Sequence, residues 1–560
     1  MQEKIIEILK AIKKLYNIEI SELLLKEVPK KQFGDLSFNC ILARDTKKNP
    51  VLIASELSGI LKNDIIDEVQ SAGPFINFKI SESIYSDIFK NIYSDKEAFL
   101  SPNTNNELIV VDYIMNVGKP MHIGHMCTPN IGQTMINLYK NNFKVISDSH
   151  IGDWGIIFKL ITAYKLWDKN KLEKNPVDYL LELYVKITEE TEKDEQYEQK
   201  FRDEFKLLSE NPESIKMWAE FTSHTISDMN KQLARLAVYP QYNIGESFYE
   251  GILPKMENYP DLEFDMESIV SELVEKIATK NNDNSVVIFD DETKLPSCIL
   301  QKKDSTHYLA SDLASIKYRV NNFSANKIIY FVDVRQQLHF KQAFEIAKKA
   351  GWLNNIQTEL IHAANFISKE GAFSTRKNII KLDLLLNEAE TRAKAIILEK
   401  RDDLSEEELN ELSKQIIAIK YGHLKKSRET DMIFDWDEFM TFEGNSPYIQ
   451  YAYVRARRII EKYKSITTDS NFEHEQEIEL LKIQNYTEVL NKTLDTNMPH
   501  HLCNYAYDLT KKFSSFYNSV HILNEEDEEK KILRLQLIDM FTKVLKNSFD
   551  ILGITMPEKM

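Results

Sequence analysis

The sequence predicts a multidomain chain of α/β and all-α parts. A doubly wound parallel sheet with a helical insertion follows a small α+β unit and precedes a helix bundle. Two observations carry this. Apolar strands at 108–114 (LIVVDYI) and 326–334 (NKIIYFVDV) and a strand-like run at 143–155 (FKVISDSHIGDWG) alternate with stretches of helical spacing, the pattern of buried parallel strands between crossover helices. From about residue 384 strand signals vanish and amphipathic helices succeed one another to residue 560.

The elements follow in order. Residues 1–102 form the first unit: Ile5, Ile8, Leu9, Ile12 and Leu15 recur at helical spacing, AGPFINFKI (72–80) alternates as a strand, and a polar linker spans 94–107. Residues 103–383 hold the parallel sheet, whose ligands are expected at the carboxyl ends of the strands. The stretch at about 163–290 reads as a long, acidic, helical insertion, and residues 384–560 as the bundle.

Composition narrows the function classes. Cys40, Cys127, Cys298 and Cys503 lie far apart without metal spacing, which fits reduced thiols in a cytosol rather than a disulfide framework. No apolar run approaches the roughly 18 residues that span a membrane, and the amphipathic first helix has no cleavage site. The expectation is a cytoplasmic protein without a membrane partner. The net charge of −16 does not exclude nucleic acid, because a partner feels the field within about 10 Å. Basic clusters stand at 420–428 and 454–464, though each is also what a solvated helix face looks like.

The chemistry concentrates in NVGKPMHIGHM (116–126), at a strand-to-helix junction. His122 and His125, three apart, lie on one side of a helical turn. A helix start offers unpaired N–H groups and a positive dipole end to an anion. Gly124 lets a flat ring approach the backbone. With Lys119, two imidazoles would stabilise charge on a phosphate under attack. A metal site would need a third ligand that the sequence does not supply nearby, and two chance histidines remain the bland alternative.

The motif has company in collinear order: HIGDWG (150–155), GESFYEG (245–251), YLASDLASIKYR (308–319), IIYFVDVRQQLHFKQAFEIAKKAGW (328–352), FSTRKNIIKLDLLLNEA (373–389), GNSPYIQYAYVRARRI (444–459) and LGITMPEKM (552–560). FGDLSFN (33–39) and AGPFINF (72–78) precede it. Together these resemble the arginyl-tRNA synthetases, of class I, along nearly the whole chain. The resemblance implies a class I Rossmann-type catalytic domain, an N-terminal domain that touches the tRNA elbow and a C-terminal anticodon-binding bundle. It implies ATP, with Mg²⁺ carried on its phosphates, L-arginine and tRNA(Arg) as partners, and a monomer.

Site residues carry over position by position. His122 and His125 would bind the ATP phosphates and the adenylation transition state, with Gly124 against the nucleoside. Asn116, Glu246, Tyr308, Asp312 and Gln336 would hold the arginine. A guanidinium is a planar fork of five donors that a carboxylate accepts in parallel, and Tyr308 and Asp312, four apart, share a helix face. The signature loop departs from Lys-Met-Ser-Lys-Ser: Ala372, Phe373, Ser374, Thr375 and Arg376 stand there, without either lysine. Lys119 is expected to supply the missing charge, with Arg376 and Lys377 as loop candidates and Lys369 a poorer one. Phe75 and Asn77 would meet the D-loop, where this chain has lost one glycine of the family pattern. Tyr448, Ala452, Tyr517 and Met560 would meet the anticodon, whose splayed bases stack on aromatic rings. The implied reaction is arginine–tRNA ligation that requires bound tRNA for activation. A class I synthetase for another amino acid and a non-catalytic tRNA-binding paralogue are the rivals.

Overall fold

In the N-terminal stretch, β1 (Lys26–Glu27), β2 (Leu36–Asn39), β3 (Ile66–Ala72) and β4 (Phe75–Ile80) form an antiparallel sheet ordered β1-β2-β4-β3. Leu36, Phe38, Ile76 and Phe78 bury one face, to which the Pro50–Ile60 helix adds Ile53 and Leu57. The β3–β4 turn has two residues, Gly73 and Pro74, and Gly73 takes φ +59, so the shortened loop closes as a tight hairpin that needs glycine first. The structure is a computed structural model describing residues 26–28, 34–40, 49–60, 66–100, 105–114, 121–154, 168, 170–171, 176–193, 211–251, 262, 264–289, 296–302, 305–306, 308–368, 371–372, 380–399, 401, 403–415, 419–441, 444–461, 477 and 480–560. The amphipathic helix expected at residues 5–16 lies outside them.

The chain divides into two compact units, one of residues 1–100, 455–487 and 508–544, the other of 101–454, 488–507 and 545–560. In the first, the Glu528–Leu552 helix supplies Phe541 to stack on Phe513 at 4.2 Å and Asp539 to accept from the Tyr93 hydroxyl at 3.1 Å.

The second unit holds the parallel sheet. Its strands are β5 (Leu108–Asp112), β6 (Lys144–Ser149) and β7 (Tyr242–Asn243) and, after four strands of a separate sheet, β12 (Lys327–Asp333) and β13 (Gln357–Ala363). Their order is β13-β12-β5-β6-β7, all parallel. The chain moves outward from β5 to β6 and β7, then returns to β12 on the other side, so the order reverses between β5 and β12. Ligands of such sheets bind outside the carboxyl ends at that reversal. Val110, Val111, Ile328, Tyr330 and Val332 are buried, which accounts for the unbroken apolar runs.

Three features depart from the expectations. The stretch 163–290 contains the helices Pro176–Lys193, Pro212–Arg235 and Met266–Lys276, yet β7 within it belongs to the parallel sheet. An antiparallel sheet of β8 (Thr279–Lys280), β9 (Val286–Ile288), β10 (Cys298–Lys302) and β11 (Ser305–Thr306) begins within the same stretch and continues beyond it. Beyond residue 384, β16 (Met432–Ile433) pairs in parallel with β14 (Phe366–Ser368), which also pairs with β15 (Gly371–Ala372). Most of these strands have two or three residues, too few for an alternating pattern to register. The four cysteines are free and buried, as expected for reduced thiols.

The helix after the histidine motif, Cys127–Tyr139, lies against the end of β5 through Gly132. A Cβ on Gly132 would stand 2.5 Å from Cβ of Tyr113, so only glycine permits this approach. The Tyr113 hydroxyl then donates to Gln133 Oε1 at 3.0 Å. This contact fixes the helix, and with it the two histidines, relative to the sheet.

Candidate active site

His122 stands before a single 3₁₀ turn, Ile123–Met126, that leads into the Cys127–Tyr139 helix. Its Nδ1 accepts the Gly124 N–H at 3.1 Å, and Nδ1 of His125 accepts the His122 N–H at 3.1 Å. The rings stack at 3.6 Å. The expected side-by-side arrangement is present, but the expectation of open N–H groups for an anion is corrected. Histidine nitrogens and backbone carbonyls take those donors: Ile123 N–H goes to Ile380 O at 3.1 Å and His125 N–H to His122 O at 2.8 Å. The ring over Gly124 is that of His122, whose Cε1 would lie 3.0 Å from a Cβ there.

This exchange has a chemical consequence. An imidazole nitrogen that accepts a hydrogen bond carries no proton, so in each neutral ring the proton sits on Nε2. Both histidines therefore turn an Nε2–H donor away from the backbone. The anion-binding capacity of the helix start is relayed outward through two side chains.

The exit of the signature loop docks beside them. Leu382 N–H donates to Met121 O at 2.9 Å, and His122 and Lys381 pair as an antiparallel bridge. Asn116, Lys119, Lys369, Ser374, Thr375, Arg376 and Lys377 lie outside the described residues. A cleft of about 270 Å³ opens at the carboxyl ends of β5, β12 and β13, lined among others by Gly124, His125, Thr128, Asp333 and Gln336. Asp333 closes the end of β12 by accepting from the Arg335 backbone at 2.8 Å and from its guanidinium at 2.9 and 2.6 Å.

Tyr308 and Asp312 begin the Tyr308–Phe323 helix, Tyr308 58% exposed and Asp312 only 5%. A residue that sequence reasoning passed over joins them. His339, in the first turn of the Gln337–Lys349 helix, places Nε2 2.6 Å from Asp312 Oδ2 and its ring 4.8 Å from that of Tyr308. The signal was its three-residue spacing from Gln336, one turn along. On the other side, His150 Nε2 stands 3.6 Å from Asp312 Oδ1 and 3.5 Å from Ser311 Oγ. Burial pushes the His150 pKa below the ordinary histidine value and favours its neutral form. Asp312 Oδ1, buried, has no hydrogen-bond partner among the described residues.

A second buried charge centre lies deeper. Arg319, two turns along the same helix and fully buried, reaches Asp112 at the end of β5 and Asp148 on β6, at 2.7 and 2.8 Å. It also donates to the Tyr330 hydroxyl. Burial pushes Asp112 up to about 7, against the pull of Arg319. These groups join β5, β6, β12 and the helix beneath Asp312.

Glu246 opens the short helix Glu246–Tyr249. Asp153 of HIGDWG anchors its start by accepting the Ser247 N–H at 2.9 Å and hydroxyl at 2.5 Å, and the Asp153 carbonyl receives Trp218 Nε1–H at 2.8 Å. Glu246 N–H bonds to Ile151 O at 3.0 Å. Two distant motifs thus form one unit.

Among the tRNA candidates, Phe75 is 41% exposed at the hairpin tip, whereas Asn77 is buried, so its amide is not presented at the surface. Tyr448 and buried Ala452 share a face of the Ser446–Ile460 helix, with the Tyr448 ring 5.8 Å from Tyr507. The Tyr517 ring lies 3.7 Å from the Arg455 guanidinium. Met560 packs on the apolar cluster of Ile397 and Leu412.

Burial raises the Asp153 pKa to about 6, the Ser247 bonds pulling it down. A carboxyl group raised above its unfolded value of about 3.9 loses folding free energy as pH rises from there through about 6. Ser247→Ala removes a donor to the ionised form. It is expected to cost about 1–2 kcal/mol at pH 7 and less at pH 4 in urea denaturation; an equal loss at both would contradict this role for the hydroxyl.

Three family models match the chain: the class I (R) tRNA synthetase catalytic domain over residues 89–436, the DALR anticodon binding domain over 449–560 and the arginyl-tRNA synthetase N-terminal domain over 2–80. An arginine–tRNA ligase of Fusobacterium nucleatum is 35% identical over 97% of this chain and 96% of its own. One of Clostridium beijerinckii is 33% identical over the full length of both. Among solved structures, the arginyl-tRNA synthetase of Plasmodium falciparum shares the fold with a TM-score of 0.78 at 23% identity, over 100% of this chain and 99% of that one. That of Thermus thermophilus does so with a TM-score of 0.75 at 19% identity, over 96% of each. With its paired imidazoles at the sheet reversal and these matches end to end, the chain belongs to the arginyl-tRNA synthetase family.

Proposed function

We propose that this chain is an arginine–tRNA ligase that selects its amino acid at Asp312. The observation that supports the reading is a buried carboxylate with one oxygen held by His339 and the other without a hydrogen-bond partner among the described residues. Such a group calls for a cationic donor, and a guanidinium fork fits a carboxylate edge. Tyr308, Gln336, Glu246 and Asn116 complete the pocket in this reading. Lysine would leave acceptors unpaired, and sites of this kind discriminate by about 10⁴ or more without editing.

ATP enters the cleft at the ends of β5, β12 and β13 as a substrate that brings Mg²⁺ on its phosphates. Among the described residues no group of three or more His, Cys, Asp or Glu side chains is placed to hold a metal ion. The arginine carboxylate attacks the α-phosphorus in line, pyrophosphate leaves, and the Nε2–H groups of His122 and His125 stabilise the charge that builds on the phosphate. Lys119, or Arg376 and Lys377 of the loop, supplies the positive charge for the departing pyrophosphate, and Ser374 and Thr375 donate hydrogen bonds to ATP. The terminal ribose hydroxyl of tRNA(Arg) then attacks the activated carbonyl and releases AMP. No protein nucleophile takes part, so catalysis is positioning and charge stabilisation.

The division of labour assigns residues 1–102, with Phe75 exposed at the hairpin tip, to the tRNA elbow and 103–383 to activation. Residues 384–560, with Tyr448, Ala452, Tyr517 and Met560, take the anticodon. The chain works as a cytoplasmic monomer; no described helix is long and apolar enough to cross a membrane.

Aminoacylation of total tRNA with labelled arginine tests the reading. His122→Ala is expected to lower kcat/KM by about 10²–10³, and Lys119→Ala to lower it as well; a His122→Ala variant that charges like the parent would favour a non-catalytic role. Arginine-dependent ATP–pyrophosphate exchange is expected only with tRNA present, and a full rate without tRNA refutes that dependence.

A further inference from the structure

We propose that His339 is a positioning residue for amino-acid selection: it sets the plane of the Asp312 carboxylate so that the remaining acceptors match a planar guanidinium. The inference rests on the reading of Asp312 as the arginine-binding carboxylate and adds a residue that the pocket assigned above does not contain.

The torsion that turns an aspartate carboxylate about its last bond is broad and roughly two-fold, so an unrestrained carboxylate has no fixed plane. Asp312 is restrained at one oxygen. His339 Nε2 lies 2.6 Å from Oδ2, the separation of a strong charge-assisted hydrogen bond, and His339 is itself largely buried, with 17% of its side chain exposed. The His339 ring is fixed in turn, 4.8 Å from Tyr308 and 4.9 Å from Phe340. Its helix starts directly after the Val334–Gln336 turn, so Gln336 and His339 move as one piece. On the far side His150 Nε2 is 3.6 Å from Oδ1, too long for a hydrogen bond, so Oδ1 keeps its acceptor capacity.

A carboxylate offers about four lone-pair sites, and one bond to His339 leaves the rest. A planar fork is sensitive to the plane in which those sites lie. A point-like ammonium is not, because its three donors rotate to suit. Loss of the His339 donor should therefore weaken arginine more than it weakens lysine, and should spare ATP, because neither His339 nor Asp312 lines the cleft that takes it.

The test is tRNA-supported ATP–pyrophosphate exchange with the full chain, with KM for arginine and for ATP measured separately. His339→Phe keeps an aromatic ring beside Tyr308 and removes the donor; His339→Gln carries a donor near the Nε2 position; Asp312→Asn tests the pocket itself. The expected result for His339→Phe is an arginine KM raised about tenfold or more, an ATP KM within about twofold of the parent and reduced discrimination against lysine. His339→Gln should recover most of the loss. An arginine KM like the parent's in His339→Phe, with a raised one in Asp312→Asn, overturns the role of His339 and leaves the pocket standing. Parental arginine KM in both variants overturns the pocket and the inference together. Parallel increases for arginine and ATP mark a merely structural effect and also overturn it. If His339→Phe fails to fold, His339→Met makes the same comparison.

Discussion

Two backbone N–H groups at the start of the helix beside β5 end on imidazole nitrogens, and the site is organised around that choice. Because Nδ1 of His122 and Nδ1 of His125 accept from Gly124 and His122, each ring is locked in orientation and tautomer at once. The donors at this helix start are engaged by Nδ1, and each neutral ring carries its own donor at Nε2 instead. A phosphate under attack gains charge during the reaction, and preorganised donors act without reorganisation when it does. Backbone N–H groups left open would offer an anion site at the helix start; in the proposed reaction two imidazole donors take that part instead.

The rest of the fold holds that turn in register with the pocket proposed around Asp312. Gly132 admits Tyr113, which seats the helix on β5. The backbone pairing of Met121–Ile123 with Ile380–Leu382 ties the signature loop's exit to the same turn. Asp312 stands above Arg319 on one helix. Arg319 is paired with Asp112 and Asp148 rather than with Asp312. A buried ion pair of this kind is weak evidence for stability, since desolvation offsets much of the attraction. Its value lies in fixing β5, β6 and the Tyr308–Phe323 helix in one geometry.

Much of this was legible in the sequence, for physical reasons that can be named. The runs at 108–114 and 326–334 are buried on both faces, so their apolarity was unbroken and marked the parallel strands. The three-residue spacing of His122 and His125 was enough to place both rings together. The two-residue strand Tyr242–Asn243 left no period to detect and disappeared into a stretch read as helical. The destination of the N–H groups was also hidden, because a histidine that caps a turn and one that leaves it open have the same spacing. His339 was passed over since its partner lies on another helix, and only the packed fold brings Nε2 to Asp312. The match of Asn77 to a D-loop-contacting position carries no information on burial, which the strand packing decides.

The account turns most directly on where the two imidazole protons sit. Nitrogen NMR of the full chain with ¹⁵N-labelled histidine, assigned with His122→Gln and His125→Gln variants, reads each tautomer at pH 7.5. Both rings are predicted to be neutral with the proton on Nε2 and Nδ1 as acceptor. A proton on Nδ1 of either ring would mean that the backbone bond is not made there, and would contradict the account.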